Sequence, residues 1–160
     1  MRMSSRQRVY GFVVLCAVTA CGSGPLGPGD KLALAEAEER WSASGISDYR
    51  VEVRVGCFCI HALPGFTELE VRDGQVVAAQ AVDPDPDVES IPLDVWPTVP
   101  AAFETIERAA DNGDVYSSLE AEYDPDLGYP SRVNLECHPN ILDCGLSYEL
   151  RNLEPLDSGS

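Results

Sequence analysis

Tyr49-Arg50-Val51-Glu52-Val53-Arg54-Val55-Gly56-Cys57-Phe58-Cys59 decides the fold of this chain. Tyr49, Val51, Val53, Val55, Cys57 and Cys59 fall on one side of an extended backbone. Arg50, Glu52 and Arg54 fall on the other. A period of two means a strand, because successive side chains leave a pleated backbone on opposite faces. One apolar face and one charged face mean a sheet covered on one side and wet on the other.

The residues that follow continue the pattern. Pro64-Gly65 marks a turn. Thr67, Leu69 and Val71 then alternate with Glu68, Glu70 and Arg72, a second half-buried strand. Asp73-Gly74 is a two-residue hairpin signal, because a tight hairpin needs positive φ at its centre. A third strand runs from Gln75 to about Val82. Upstream, Asp30 is placed to cap a helix running to about Ser44. Leu34, Ala37 and Trp41 share one face of it, Glu36, Glu39 and Arg40 the other, and Gly45 ends it.

Asp83-Pro84-Asp85-Pro86-Asp87 opens an acidic, proline-rich linker over 83–97, kept irregular by Pro92 and Pro97. Thr98 then caps a second helix from about Val99 to Ala110. Val99, Ala102, Phe103, Ile106, Ala109 and Ala110 form its apolar stripe, and Asn112-Gly113 its stop. Three more strands are expected at about 115–123, 131–137 and 144–152. Their inward residues are Leu119, Ala121 and Tyr123, then Val133, Leu135 and Cys137, then Cys144, Leu146, Tyr148 and Leu150.

The order is helix, three strands, helix, three strands, in halves 30–82 and 98–153. The fold class is therefore α+β: a tandem αβββ pseudo-repeat, with two helices packed on antiparallel sheet. A single domain spans 30–157, followed by a tail at 158–160. The halves either share one continuous sheet or sit as two small lobes. Tandem αβββ units resemble the architecture of PepSY-like and β-lactamase-inhibitor-like extracytoplasmic proteins, a likeness of fold that carries no function.

The N-terminal part is of another kind. The chain has 160 residues, 27 acidic and 11 basic, for a net charge of −16. Yet Arg2, Arg6 and Arg8 stand in its first eight residues, followed by an uncharged run from Val9 to Ala20. A basic start and a short apolar run are a signal-peptide layout, too short for a transmembrane helix of about 20 residues. The run ends Val18-Thr19-Ala20-Cys21, which resembles the lipobox of bacterial lipoproteins. That resemblance implies diacylglyceryl transfer to the Cys21 sulfur and cleavage before Cys21. Residues 1–20 are then a signal peptide, and 21–29 are the lipidated cysteine and a flexible Gly/Pro/Ser tether. The expected location is extracytoplasmic, with a lipid anchor in the membrane. Gly22, rather than an aspartate, after the cysteine points to the outer membrane, facing the periplasm, in a Gram-negative cell.

Removing 1–20 takes three arginines and no acid, so the retained chain carries −19 against −16 for the whole. Such acidity argues against nucleic acid, which needs a basic surface, and against charge-driven binding to anionic lipid. It suits a basic protein partner in the envelope.

Cys57, Cys59, Cys137 and Cys144 remain for chemistry once Cys16 is cleaved away and Cys21 lipidated. An oxidising compartment makes disulfides the expectation. Cys137 and Cys144 sit on facing hairpin strands, an easy geometry for a bridge. Cys57 and Cys59 are harder, because positions i and i+2 of a strand lie about 6.5–7 Å apart. They can pair if the strand bends at Gly56; otherwise each can reach one of the other two and staple the halves together. The alternative is a metal or redox site on Cys57, Cys59 and His61, three soft ligands on one strand. Against it, the spacing is not C-x₂-C and His61 falls in a loop.

Asp83, Asp85 and Asp87, like Asp124 and Asp126 with Gly128, have a calcium-loop rhythm but lack the rest of that loop. They read as linker and turn. Tyr49, Tyr123, Tyr129 and Trp96 read as core or turn packing before they read as a binding surface. No nucleophile elbow, zinc-protease helix, phosphate loop or dinucleotide fingerprint is present, so an enzyme is not expected. No cofactor is called for.

Taken in order, the motifs are the lipobox, Trp41, Asp48-Tyr49-Arg50, Cys57-Phe58-Cys59 and Val71-Arg72-Asp73-Gly74. The helix with Phe103 and Ile106, Tyr123-Asp124-Pro125 and Gly128-Tyr129-Pro130 follow. Over roughly residues 38–153 this resembles a family of uncharacterised bacterial lipoproteins built on one domain of unknown function. The resemblance implies no activity. Cys-Phe-Cys is similar to the family pattern, and the Cys137/Cys144 pair is an addition, so the resemblance favours bridges 57–59 and 137–144. The expected function is a non-enzymatic, lipid-anchored binding domain at the cell envelope. The alternatives are the metal or redox lipoprotein and an inhibitor of a secreted enzyme.

Overall fold

A computed structural model describes residues 25–57, 65–83, 92–142 and 144–157. Helix α1 spans Pro28–Ser44 and α2 spans Val99–Asp111. The strands are β1 Tyr49–Cys57, β2 Thr67–Arg72, β3 Gln75–Ala81, β4 Tyr116–Tyr123, β5 Pro130–Cys137 and β6 Leu146–Pro155. A single 3-10 turn, Leu93–Val95, precedes α2. The α+β reading holds, and the two halves form one continuous sheet of order β3-β2-β1-β6-β5-β4, with every neighbouring pair antiparallel.

The seam is β1 against β6, the first strand of one half on the last strand of the other. Tyr49, Val51 and Val53 of β1 are buried with Leu69 and Val71 of β2, Leu119 of β4, Val133 and Leu135 of β5, and Leu150 of β6. They share one core with Leu34 and Ala37 of α1 and the α2 stripe Val99, Phe103, Ile106, Ala109 and Ala110. Both helices therefore lie on one face of the sheet, and the other face stays open.

Local chemistry explains most of the boundaries. Thr98 Oγ1 accepts the Ala101 N–H at 3.3 Å and opens α2. All the residues of the expected α2 stripe are buried. Asp73 and Gly74 take φ of 49° and 73° and close the β2–β3 hairpin. Asp48 Oδ1 accepts the Asp73 N–H at 3.0 Å, and Arg72 lies 3.4 Å from Asp48 Oδ2. The Asp73 N–H, then Arg72, hold the Asp48 carboxyl below its ordinary pKa.

Three expectations are corrected. Helix α1 begins at Pro28, capped by Gly27, whose N–H donates to Asp30 Oδ2 at 3.0 Å. Asp30 therefore sits inside the first turn, and Leu26 is buried, so the fold takes up the end of the stretch read as tether. Arg40, expected in water, is half-buried. The β4–β5 loop comes down on it, with Gly128 seated against the Arg40 Cβ. Asn112 ends α2 where the sequence places its stop. Finally, β6 starts after Cys144 and runs to Pro155. A bulge at Asn152 (φ 53°) shifts its register against β1, so Leu153, rather than Asn152, turns toward the core.

Candidate functional site

The open face of the sheet carries the charges that alternate with the core residues. Register arranges them in rows across the strands. Glu122, Arg132, Glu149 and Arg54 lie side by side on β4, β5, β6 and β1. Arg132 pairs with Glu122 at 3.4 Å, and Arg54 pairs with Glu149. Arg151 pairs with Glu52 at 2.8 Å, Arg50 with Glu70 at 3.5 Å and Arg72 with Glu70 at 3.0 Å. The Asn152 amide, then Arg151, lower the Glu52 pKa. Phe66 lies beside this network, its ring centroid 3.5 Å from the Arg151 guanidinium carbon and 4.9 Å from that of Arg54.

Next to the charged row lies a row of small residues: Gly56 on β1, Ser147 on β6 and Asn134 on β5, continued by Glu120 on β4. Side chains fall away there, and the row becomes the floor of a trough. A Cβ on Gly56 would collide with Ser147 Oγ, so only glycine leaves the floor open beside that hydroxyl. Two adjoining hollows share this floor. One, about 430 Å³, reaches Arg54, Glu149, Arg132 and Glu120. The other, about 740 Å³, reaches Cys57, Glu136 and the loop from Cys137 to Cys144.

That loop forms the second wall. Cys137 and Cys144 are disulfide-bonded, with Cα atoms 6.1 Å apart. They stand where the register Leu135↔Leu146 would next bring two residues face to face, although Cys144 lies outside β6. The His138 N–H donates to the Val115 carbonyl at 3.1 Å, and Nε2 of its ring donates to the Gly113 carbonyl at 3.0 Å. The Ile141 N–H donates to the His138 carbonyl at 2.9 Å. The loop is thus tied at its base, and Leu142 projects from it, 82% exposed. We expect Cys137→Ser/Cys144→Ser to lose about 2–3 kcal/mol, the loop-closure value for a ring this short. Urea denaturation monitored by circular dichroism would measure it; an unchanged midpoint would mean that the hydrogen bonds alone hold the loop.

Of the residues singled out in the sequence, Cys21, Cys59 and His61 lie outside those described. Cys57 is disulfide-bonded. Because Cys137 and Cys144 bond each other, neither is its partner, and the pairing that would staple the halves together does not occur. A sulfur in a disulfide is no thiolate, which takes Cys57 out of the metal set of Cys57, Cys59 and His61. No group of three potential metal ligands occurs among the described residues. Asp124 is spent on its own turn: its Oδ1 accepts the N–H groups of Asp126 at 3.0 Å and Leu127 at 2.7 Å. Tyr49, Tyr129 and Trp96 are buried and Tyr123 stacks on Phe103, so all four are packing residues.

The trough itself escaped the sequence reading. Gly56, Asn134, Ser147 and Leu142 belong to no motif; their one signal is that small, uncharged residues interrupt the charged face. The acidity is also redistributed. Arg50, Arg54, Arg72, Arg132 and Arg151 all lie on the open face, each paired with a carboxylate. Exposed Glu36, Glu39, Glu104, Glu107 and Asp111 cover the helices. Burial and then the nearby Glu107 push the Glu38 carboxyl up between them.

A model of a family of unknown function, DUF6174, matches residues 33–155. No curated protein and no solved structure matches the chain. The match takes in both helices and all six strands, apart from the first turn of α1. The chain belongs to the DUF6174 family.

Proposed function

We propose that this DUF6174 protein is a lipid-anchored, non-enzymatic binding domain on the outer side of a bacterial membrane, and that its partner is a basic envelope protein. The observation that carries the binding role is the trough on the open sheet face. It is floored by small polar residues, walled by ion pairs and flanked by a disulfide-closed loop with an exposed leucine. Helices fill the other face, so recognition falls to this one. The anchor rests on Val18-Thr19-Ala20-Cys21 and the basic, apolar stretch before it. Acyl chains contribute about 0.8 kcal/mol per buried CH₂, enough to hold an acidic domain at a bilayer that its charge avoids.

Two measurements test this reading. Full-length protein expressed in a bacterium should take up labelled palmitate and partition into detergent, while Cys21→Ala loses both. Wild-type protein that stays aqueous and unlabelled refutes the anchor. Used as bait in envelope extract, the protein should retain a basic partner at low salt and release it as salt rises. Recovery of nothing specific refutes the binding role. The disulfide at Cys57 speaks against the metal or redox reading on Cys57, Cys59 and His61, and thiol titration of the unfolded, unreduced protein tests that bridge. Free thiols with co-purifying zinc or copper would favour the metal reading. An inhibitor of a secreted enzyme is a narrower form of the binding reading, and the identity of the captured partner would decide it.

A further inference from the structure

The charges on the open face select the class of ligand. Every arginine there already has a carboxylate partner. An anionic ligand would have to compete with those carboxylates for every arginine it met, whereas a cation meets no such competitor at an unpaired carboxylate. Glu120 and Glu136 differ. Both line the trough, one in each hollow, and neither carboxylate has a cationic partner among the described residues. Register puts them at one end of the floor: Glu120 faces Asn134, and Glu136 is two residues further along β5. A single cationic group placed over Asn134 would lie between them.

The shape selects further. The hollows are open to solvent along the floor, which suits a chain laid across the strands better than a small molecule enclosed in a cavity. Ser147 and Asn134 offer donors and acceptors to a peptide backbone from the floor. Leu142, with Ile141 and Pro139 on the same wall, offers an exposed apolar contact. An apolar anchor beside charged pairs on the rim is the anatomy of a protein interface.

We propose that this trough binds an extended segment of a partner protein, with a lysine or arginine between Glu120 and Glu136 and an apolar side chain against Leu142. The proposal rests on the binding-domain reading and names the surface and the chemistry of its occupant. The three residues that carry it, Glu120, Glu136 and Leu142, are all exposed, so their substitution leaves the core intact.

The test uses the full chain and a seven-residue fluorescent peptide of alternating lysine and leucine, with a glutamate–leucine peptide as control. Anisotropy at low salt should show binding of the lysine peptide and none of the control. Glu120→Gln/Glu136→Gln and Leu142→Ser should each weaken it at least tenfold, whereas Glu104→Gln/Glu107→Gln on α2 leaves it unchanged. Amide NMR shifts in the wild-type protein should centre on Gly56, Asn134 and Ser147. Shifts centred on the helices, or equal binding by the trough variants, overturn the proposal. The same variants then serve as bait in envelope extract. If wild-type and trough variants capture one partner equally well, the trough assignment fails and the binding-domain reading stands. If wild type captures nothing while the peptide still maps to the trough, the reading fails and the site remains.

Discussion

Gly128→Ala should cost about 3–5 kcal/mol, enough to unfold a large share of a marginally stable domain. Two penalties add. Gly128 has φ of +83°, where a Cβ costs about 1–2 kcal/mol against the backbone. The new methyl would also overlap the Ala37 carbonyl oxygen, lie 2.9 Å from Arg40 Cβ and 3.1 Å from the Trp41 nitrogen. Two of those three are backbone atoms in the middle of α1, which no rotamer change can move. Overpacking of this kind costs about 1–3 kcal/mol, and a rigid obstacle puts it at the upper end. Gly74→Ala is the control. Its φ is +73°, yet nothing lies within 4 Å of the added carbon, so only the backbone penalty of about 1–2 kcal/mol applies. Urea midpoints for the two variants separate contact from conformation. Equal losses would mean that the β4–β5 loop lifts off α1 freely.

That contact also explains what the family-like motifs encode. Asp48 ties down the Asp73-Gly74 turn. Trp41 meets Tyr49 edge to face, with centroids 5.6 Å apart. Gly128 lets the loop of Asp124 to Tyr129 sit on α1, and that loop is closed by Asp124 N–H to Tyr129 carbonyl at 2.8 Å. Motifs scattered over the sequence thus meet around one end of α1 and the start of β1. They record how the halves are joined, so their recognition discloses a fold and leaves the site untouched.

The strands, the hairpin and the α2 stripe were legible because each is a local periodicity or a local cap. The β1–β6 seam was not, because pairing between residues as far apart as Glu52 and Asn152 leaves no periodic trace. The parity change at Asn152 was hidden for the same reason. The charge of Arg40 points to water, and its partial burial is imposed by a loop more than eighty residues away. The trough needs three strands in register before Gly56, Ser147 and Asn134 become neighbours. A functional surface on an open sheet face is therefore the part of such a protein that a single sequence shows least.

Tyr49→Ala should cost about 3–5 kcal/mol, and Tyr49→Phe about 1–3 kcal/mol, for separable reasons. The ring is 1% exposed at the head of the strand that both halves share, opposite Val71 on β2 and Pro155 on β6. Its removal leaves a cavity between α1 and the sheet, because Trp41 loses its edge-to-face partner. Its hydroxyl accepts the Val99 N–H at 2.9 Å, in the first turn of α2. No intrahelical carbonyl reaches that donor, so phenylalanine would leave it buried without an acceptor. Burial pushes the Tyr49 pKa up to about 12, against the opposing pull of the Val99 N–H. The sign of the pH effect follows. Up to about pH 10 both folded and unfolded states hold the proton, and from there to about 12 the unfolded state gives it up first, so stability falls through that window. Tyr123, also raised to about 12 by burial, keeps its own share of that slope. Tyr49→Phe should therefore be less stable than wild type at neutral pH and lose less on going from pH 10 to 12. A parallel offset at both ends of that range would mean that burial does not raise the hydroxyl's pKa, and equal stability at neutral pH would mean that the hydroxyl contributes nothing to joining α2 to β1.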